Sequence, residues 1–240
     1  MVEVHVDVEM TGLTMKNDTI SFAMIANKDN ITHILYCEIS NFDRDTIEED
    51  GKEFINNHVI GNLLMNSVDS ITILKDIEDD KGNKVSITAV KDIKESVVKH
   101  TTKWLDKFND DVLFIADCCA YDTCHIFELW GGAFKIPKYI CPVMYDINQD
   151  ISRVKNVSLY EAFDMSREGL SKNMDNDIIQ KAVFAIQGSV VTNIKNNNMK
   201  MFYKGEEARY DIPKASDMNF KHNALYDTFL SRYIYETISK

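Results

Sequence analysis

The stretch VHVDVEMTGL, Val4 to Leu13, decides how the rest of the chain is read. Val4, Val6, Val8 and Met10 alternate with His5, Asp7 and Glu9, the two-residue period of a β-strand. On such a strand Asp7 and Glu9 point to one face, side by side, with no cation adjacent in sequence. Like charges that close disfavour each other unless one takes up a proton or a cation lies between them. Either the face is solvated, as on an ordinary amphipathic strand, or something compensates the pair.

The composition narrows the choice of function. At 240 residues the chain is long enough for one substantial core. With 45% hydrophobic and 27% charged residues it has the make-up of a globular protein. No apolar run approaches the length of a bilayer and the N-terminus carries no signal-peptide pattern, so the expectation is a cytoplasmic protein with no membrane partner. The five cysteines (Cys37, Cys118, Cys119, Cys124 and Cys141) are odd in number and have no C-x-x-C spacing. That speaks against a disulfide framework or a zinc ribbon, and packing accounts for them. The formal net charge is −11 with no polybasic run, which excludes extended, non-specific duplex binding. An acidic protein can still hold a short phosphodiester end if metal ions carry the local positive charge. The Asn- and Ile-rich wording points to an AT-rich genome, such as that of a virus.

Periodicity predicts an α/β protein. Strands are expected at 3–10, 19–27 and 31–39, with a short KDN turn between the last two, so the sheet starts antiparallel. Residues 43–65 are irregular and acidic. The segment near 70–90 reads as two strands around DDKGN, a surface hairpin. Val90, Ile93, Val97, Val98, Thr101, Trp104, Leu105 and Phe108 predict the strongest helix. A short apolar strand follows at 112–117, then a helix from Asp122 to Trp130 stopped by Gly131 and Gly132. KYICPVMYDI, from Lys138, reads as a further strand. Residues 147–186 alternate short helical patterns with polar linkers. A polar, basic loop near 193–221 contains Lys195, Lys200, Lys204 and Arg209, and an amphipathic helix closes the chain at 223–239. With no repeat and no clean linker, residues 1–240 are read as a single domain.

The acids that matter lie at the ends of these elements: Asp7 and Glu9 in the first strand, Asp122 in CAYDTCHIFEL after the short apolar strand, and His222 and Asp227 in HNALYD at the entrance of the last helix. Taken singly, each has an ordinary explanation. Asp122 can cap a helix, and Asp227 suits the positive end of a helix dipole. Four carboxylates together, however, suit hard divalent ions such as Mg²⁺ or Mn²⁺.

These segments carry a resemblance. DVEMTGL resembles the first motif of the DEDD superfamily of 3′–5′ exonucleases, in the wording of its oligoribonuclease branch. DCCAYD is similar to the second motif, with an aromatic residue before its aspartate. HNALYD resembles the third, in which a histidine stands five residues before an aspartate. The resemblance implies the histidine-bearing branch of exoribonucleases and an RNase H-like fold, a central mixed sheet of five or more strands flanked by helices. It implies two Mg²⁺ or Mn²⁺ ions held by Asp7, Glu9, Asp122 and Asp227, with His222 as the general base. Met10, Thr11 and Leu13 would contact the terminal nucleotide. The substrate would be a short single-stranded 3′ end, RNA before DNA, released as nucleoside 5′-monophosphates, and the protein would be a homodimer. A phosphodiesterase for very short or signalling nucleotides would use the same residues. A catalytically inactive binding module is the rival from another class. Asp117, where the family often has a different polar residue, is a competing acid.

Overall fold

The computed structural model describes residues 1–14, 16–196, 202–203, 206–207 and 221–238. The alternating first forty residues form β1 (Val2–Met10), β2 (Thr19–Lys28) and β3 (Ile31–Ile39), successive pairs being antiparallel. Only Asp29 and Asn30 separate β2 from β3, and both are left-handed, with φ of 54° and 61°. Two such residues give a turn whose twist matches that of the strands, and Asp and Asn tolerate the conformation better than most side chains.

After β3 the chain passes through a short helical turn α1 (Lys52–Phe54), a π-helical turn at Ile55–Val59 and a 3₁₀ turn at Ile60–Asn62. It then forms the hairpin of β4 (Ile71–Glu78) and β5 (Lys84–Asp92). This hairpin is not a surface appendage. β5 runs parallel to β3 along its whole length, from Ile31 opposite Lys84 to Ile39 opposite Asp92. Val85, Ile87, Ala89 and Val90 are buried, and only β4 lies at the sheet edge. Val90, which the helical spacing drew into the next element, therefore belongs to β5; α2 spans Lys94–Asp106.

The helix returns the chain to β6 (Val112–Ala116), which pairs in parallel with β1. Then come α3 (Cys119–Glu128) and β7 (Tyr145–Asp146), a two-residue strand where a longer one was expected. The sheet is mixed and seven-stranded, in the order β4-β5-β3-β2-β1-β6-β7. Three short helices follow: α4 (Ile147–Lys155), α5 (Leu159–Asp164) and α6 (Arg167–Leu170). Ser158 and Glu161 form a reciprocal capping box that starts α5. Two longer helices, α7 (Asp177–Asn196) and α8 (Ala224–Ile238), complete the chain. The expected loop near 193–221 is thus helical as far as Asn196. Phe202–Tyr203 and Glu206–Glu207 form a small antiparallel pair, and Lys200, Lys204 and Arg209 lie outside the described residues.

Helices cover both faces of the sheet. On one, Val4, Val6, Val8 and Met10 pack with Phe22 and Met24 against Val97, Trp104 and Leu105 of α2 and Ile126 of α3. On the other, Ala23, Ile25, Ile34 and Ile87 meet Ile179, Val183 and Ile186 of α7 and Leu225 and Phe229 of α8. Asp7 stands opposite Ala23 and Glu9 opposite Ser21, so the two acids share the face that α8 crosses. Among the described residues, no helix is long and apolar enough to cross a membrane.

If β5 is a core strand, Ile87→Ala should cost about 2–5 kcal/mol, as truncation of a buried aliphatic residue does. The expected readout is a lower urea midpoint with an unchanged slope, whether unfolding is followed by far-UV circular dichroism or by tryptophan fluorescence.

Candidate active site

The site forms where β1 outruns its neighbour. Pairing between β1 and β6 ends at His5 opposite Ile115. β6 then gives way at Asp117 and Cys118 to α3, whose first turn carries Asp122. The Asp122 carboxylate accepts from the Cys118 and Val8 backbone N–H groups. The Val8 contact ties the helix start to β1 beyond the end of the ladder. Asp122 is 4% exposed.

Asp227 holds the equivalent position in α8. Asn223 starts that helix, its side-chain oxygen accepting from Leu225 N–H at 3.1 Å. The Asp227 carboxylate accepts from the His222 backbone N–H. Two aspartates thus sit at two helix N-termini, where the helix dipole favours negative charge, and both helix starts adjoin the acidic end of β1.

The acids are coupled electrostatically. Burial raises the pKa of Asp7 well above the carboxylate range, and Asp227, Asp122, Glu9 and Asp117 each push it further. Glu9 is raised by burial, then by Asp227 and Asp122. Asp122 is pushed up to about 8, chiefly by burial, with Asp117 and Asp146 adding to it against the two backbone donors. Burial also raises Asp227 to about 7, although the His222 N–H opposes this. All four acids named from the sequence are therefore costly to ionise where they stand. One oxygen from Glu9, one from Asp227 and one ring nitrogen of His222 all lie within 4.8 Å of one another. This group includes the histidine expected to act as the base, and Asp7 and Asp122 are not part of it.

His222 is left-handed, with φ of 61°, an uncommon conformation for a residue with a side chain. Its ring meets that of Phe54 edge-on, with centroids 4.7 Å apart, and lies 6.4 Å from the His58 ring. Desolvation, helped by Lys221 and His58, lowers its pKa, so the imidazole is neutral at neutral pH. Nothing in the irregular pattern of residues 43–65 marks Phe54 or His58 as neighbours of His222.

Asp117 is within electrostatic reach of Asp7, but its carboxylate is occupied. Arg167 Nε donates to one oxygen at 2.5 Å and Nη2 to the other at 2.7 Å. The remaining Arg167 bonds go to Asn148 Oδ1 and to the Ala162 and Met165 carbonyls. Such a forked pair takes a fifth acid out of the ligand set. Glu168 also acts on Asp227, raising it, and is itself bridged to Lys221 at 3.0 Å.

The residues expected to touch substrate divide in two. Met10 and Thr11 are buried. The Thr11 hydroxyl is bound to Thr46 Oγ1 at 2.6 Å and to Asp18 N–H at 2.8 Å. Leu13 is 64% exposed. Its loop is tied down by Asn17, whose Oδ1 accepts from Thr14 N–H and whose Nδ2 donates to the Thr46 carbonyl at 2.7 Å. Gly12 lets Asn17 come this near, since a Cβ there would fall 2.6 Å from Asn17 Nδ2. No family model and no curated protein matches the chain, so the site stands on its own residues.

The raised acids set a sign for pH dependence. A carboxyl whose folded pKa exceeds its unfolded one keeps a proton the unfolded chain releases, so its stabilising contribution is full below about pH 4 and is lost as pH rises through about 7–8. In a chelator, the melting temperature should therefore fall between about pH 5 and pH 8. Millimolar Mn²⁺ or Mg²⁺ should restore more of it at pH 8, because ligands bind metal in their deprotonated form. Differential scanning fluorimetry with and without the ion reads both effects; melting indifferent to either ion at pH 8 would count against a metal site.

Proposed function

We propose that this protein is a metal-dependent 3′–5′ exonuclease acting on single-stranded nucleic acid, with RNA the favoured substrate, on an RNase H-like version of its α/β fold. The observation that carries the reading is that a Glu9 oxygen, an Asp227 oxygen and a His222 ring nitrogen lie within 4.8 Å of one another, with Asp7 and Asp122 electrostatically coupled to the same two acids, although Asp7 and Asp227 stand 220 residues apart in the chain. A pair of Mg²⁺ or Mn²⁺ ions in such a set supplies neutralisation of the scissile phosphate and activation of water.

The protein's own part follows from its residues. The four carboxylates offer oxygen donors and bring negative charge sufficient to balance two divalent ions. Neutral His222 is positioned to take the proton of the attacking water as it adds to phosphorus, after which the 3′ oxygen of the preceding nucleotide leaves. A nucleoside 5′-monophosphate is the product. Leu13, exposed on a clasped loop, offers an apolar surface to the terminal base, while Met10 and Thr11 hold that loop from beneath. The overall charge of −11 fits a short bound end better than a long duplex track.

A second role for His222 has an observation of its own: the ring nitrogen lies within 4.8 Å of both a Glu9 and an Asp227 oxygen, close enough for it to be a ligand. The two roles predict different kinetics for His222→Ala. Loss of a general base lowers kcat by about 10²–10⁴-fold and leaves the Mn²⁺ concentration at half-maximal rate unchanged. Loss of a ligand moves that midpoint upwards.

The defining assay presents matched short RNA and DNA oligomers, labelled at the 5′ end, with Mg²⁺ or Mn²⁺, and resolves products at single-nucleotide steps. The expected result is a ladder shortening from the 3′ end, stronger for RNA, and absent for Asp7→Asn that melts like the parent protein. Binding without shortening under both ions would favour the inactive binding module. Cleavage confined to dinucleotides would favour a phosphodiesterase for signalling nucleotides.

A further inference from the structure

His222 stands in an unfavourable backbone conformation at the start of α8, and its flanking residues are bound on both sides by one asparagine. Asn62 Nδ2 donates to the Lys221 carbonyl at 2.8 Å and to the His58 carbonyl at 2.6 Å, so both of its amide hydrogens are engaged. The Asn62 carbonyl in turn accepts from Asn223 Nδ2 at 2.8 Å. Asn62 thus binds the residue before His222 and the residue after it. Through the His58 carbonyl it also holds the turn that carries Phe54 and His58 against the His222 ring.

The clasp rests on a buried polar chain that no catalytic step uses. Tyr36, on β3, is 0% exposed, and its hydroxyl donates to Glu38 Oε1 at 2.9 Å. That hydroxyl lies 3.5 Å from Asn223 Nδ2 and 3.4 Å from Leu64 N–H. Glu38, 1% exposed, also accepts from Met65 N–H at 2.8 Å and lies 3.5 Å from Lys91 Nζ, which donates to the Met65 carbonyl at 3.0 Å. Buried ion pairs of this kind contribute little net stability compared with apolar packing. Here the pair fixes Met65 to β3 and β5, three residues on from Asn62, which itself holds Lys221 and Asn223.

We propose that Asn62 and Asn223 are positioning residues for His222, fixing the 221–223 backbone so that the imidazole stays over Glu9 and Asp227. The proposal rests on the reading of His222 as a working group of the site. Neither asparagine touches substrate; both act through His222. Asn223 has two separable duties, since its oxygen starts α8 while its amide nitrogen closes the clasp. Serine keeps a side-chain oxygen for the helix start and has no amide to donate.

The test uses the full chain with Mn²⁺ and an RNA oligomer. In Asn62→Ala and Asn223→Ser, kcat should fall roughly tenfold or more while KM and the Mn²⁺ midpoint stay within about twofold, since a small misplacement of a reacting group has effects of that size. In a His222→Ala background, Asn62→Ala should have no further effect on the residual rate, because the group it positions is gone. An equal loss in both backgrounds would mean a general structural role and overturn the proposal. Amide hydrogen exchange supplies a readout independent of activity. Protection at 221–223 should drop in Asn62→Ala with the β1–β3 amides unchanged. If the wild-type protein shortens no oligomer, the exonuclease reading falls, but lost protection still upholds the clasp and retained protection overturns it.

Discussion

Crowded negative charge at the end of one strand is the constraint to which the rest of this structure answers. Asp7 and Glu9 are neighbours on the same face of β1, and Asp122 and Asp227 arrive from two helices to join them. Each raises the cost of ionising the others, and burial adds to it. No lysine or arginine side chain among the described residues bridges any of the four; the one forked arginine nearby, Arg167, is committed to Asp117. A fold that only needed stability would have filled this position with apolar residues, as it does on the opposite face of the same strand with Val4, Val6 and Val8.

The backbone solves the placement with simple means. The parallel ladder between β1 and β6 ends early, which frees the end of β1 for a helix start to dock against it. A second helix start docks against the same end of the strand from the face opposite α2. Helix N-termini tolerate carboxylates, and their unpaired N–H groups provide anchors: Cys118 N–H for Asp122 and His222 N–H for Asp227. Asp122 and Asp227 are therefore steadied by backbone donors. Arg167 holds a fifth acid, Asp117, in a forked pair, and Asp117 still adds to the repulsion on Asp7, Asp122 and Asp227.

Much of this was legible in the sequence, for identifiable reasons. Strands β1 to β3 follow from a period-two pattern with short turns, and α2, α3 and α8 follow from helical spacing. The acids stood out because charged residues at these positions conflict with the apolar pattern around them. What the sequence hid was non-local. Whether the β4–β5 hairpin hangs outside or inserts into the sheet depends on a parallel pairing with β3 across some forty residues, and period alone does not contain it. KYICPVMYDI shrank to a two-residue strand because it meets β6 only at a single bridge, Ile140 to Val112, and again at Tyr145–Asp146. Asn62, Phe54 and His58 lie in a run of short α-, π- and 3₁₀-helical turns with no clean periodicity, and Arg167 sits among short capped helices; none had a local signal of its role.

The two sides of the site are built by opposite principles, and that difference bears on how it would work. The carboxylates lie in a frame of backbone hydrogen bonds and sheet register, in which a shift of one residue would turn Asp7 and Glu9 to the wrong face. His222 has no such frame. It sits in a two-residue turn ahead of α8, outside the sheet, in a conformation that costs energy. A group in that setting keeps one geometry only if its neighbours over-determine it. The Asn62 and Asn223 bonds, the Phe54 contact and the buried Tyr36–Glu38–Lys91 chain together provide that determination. The polar interior beneath His222 is thus the counterpart of the polar cluster in front of it: one supplies position, the other charge.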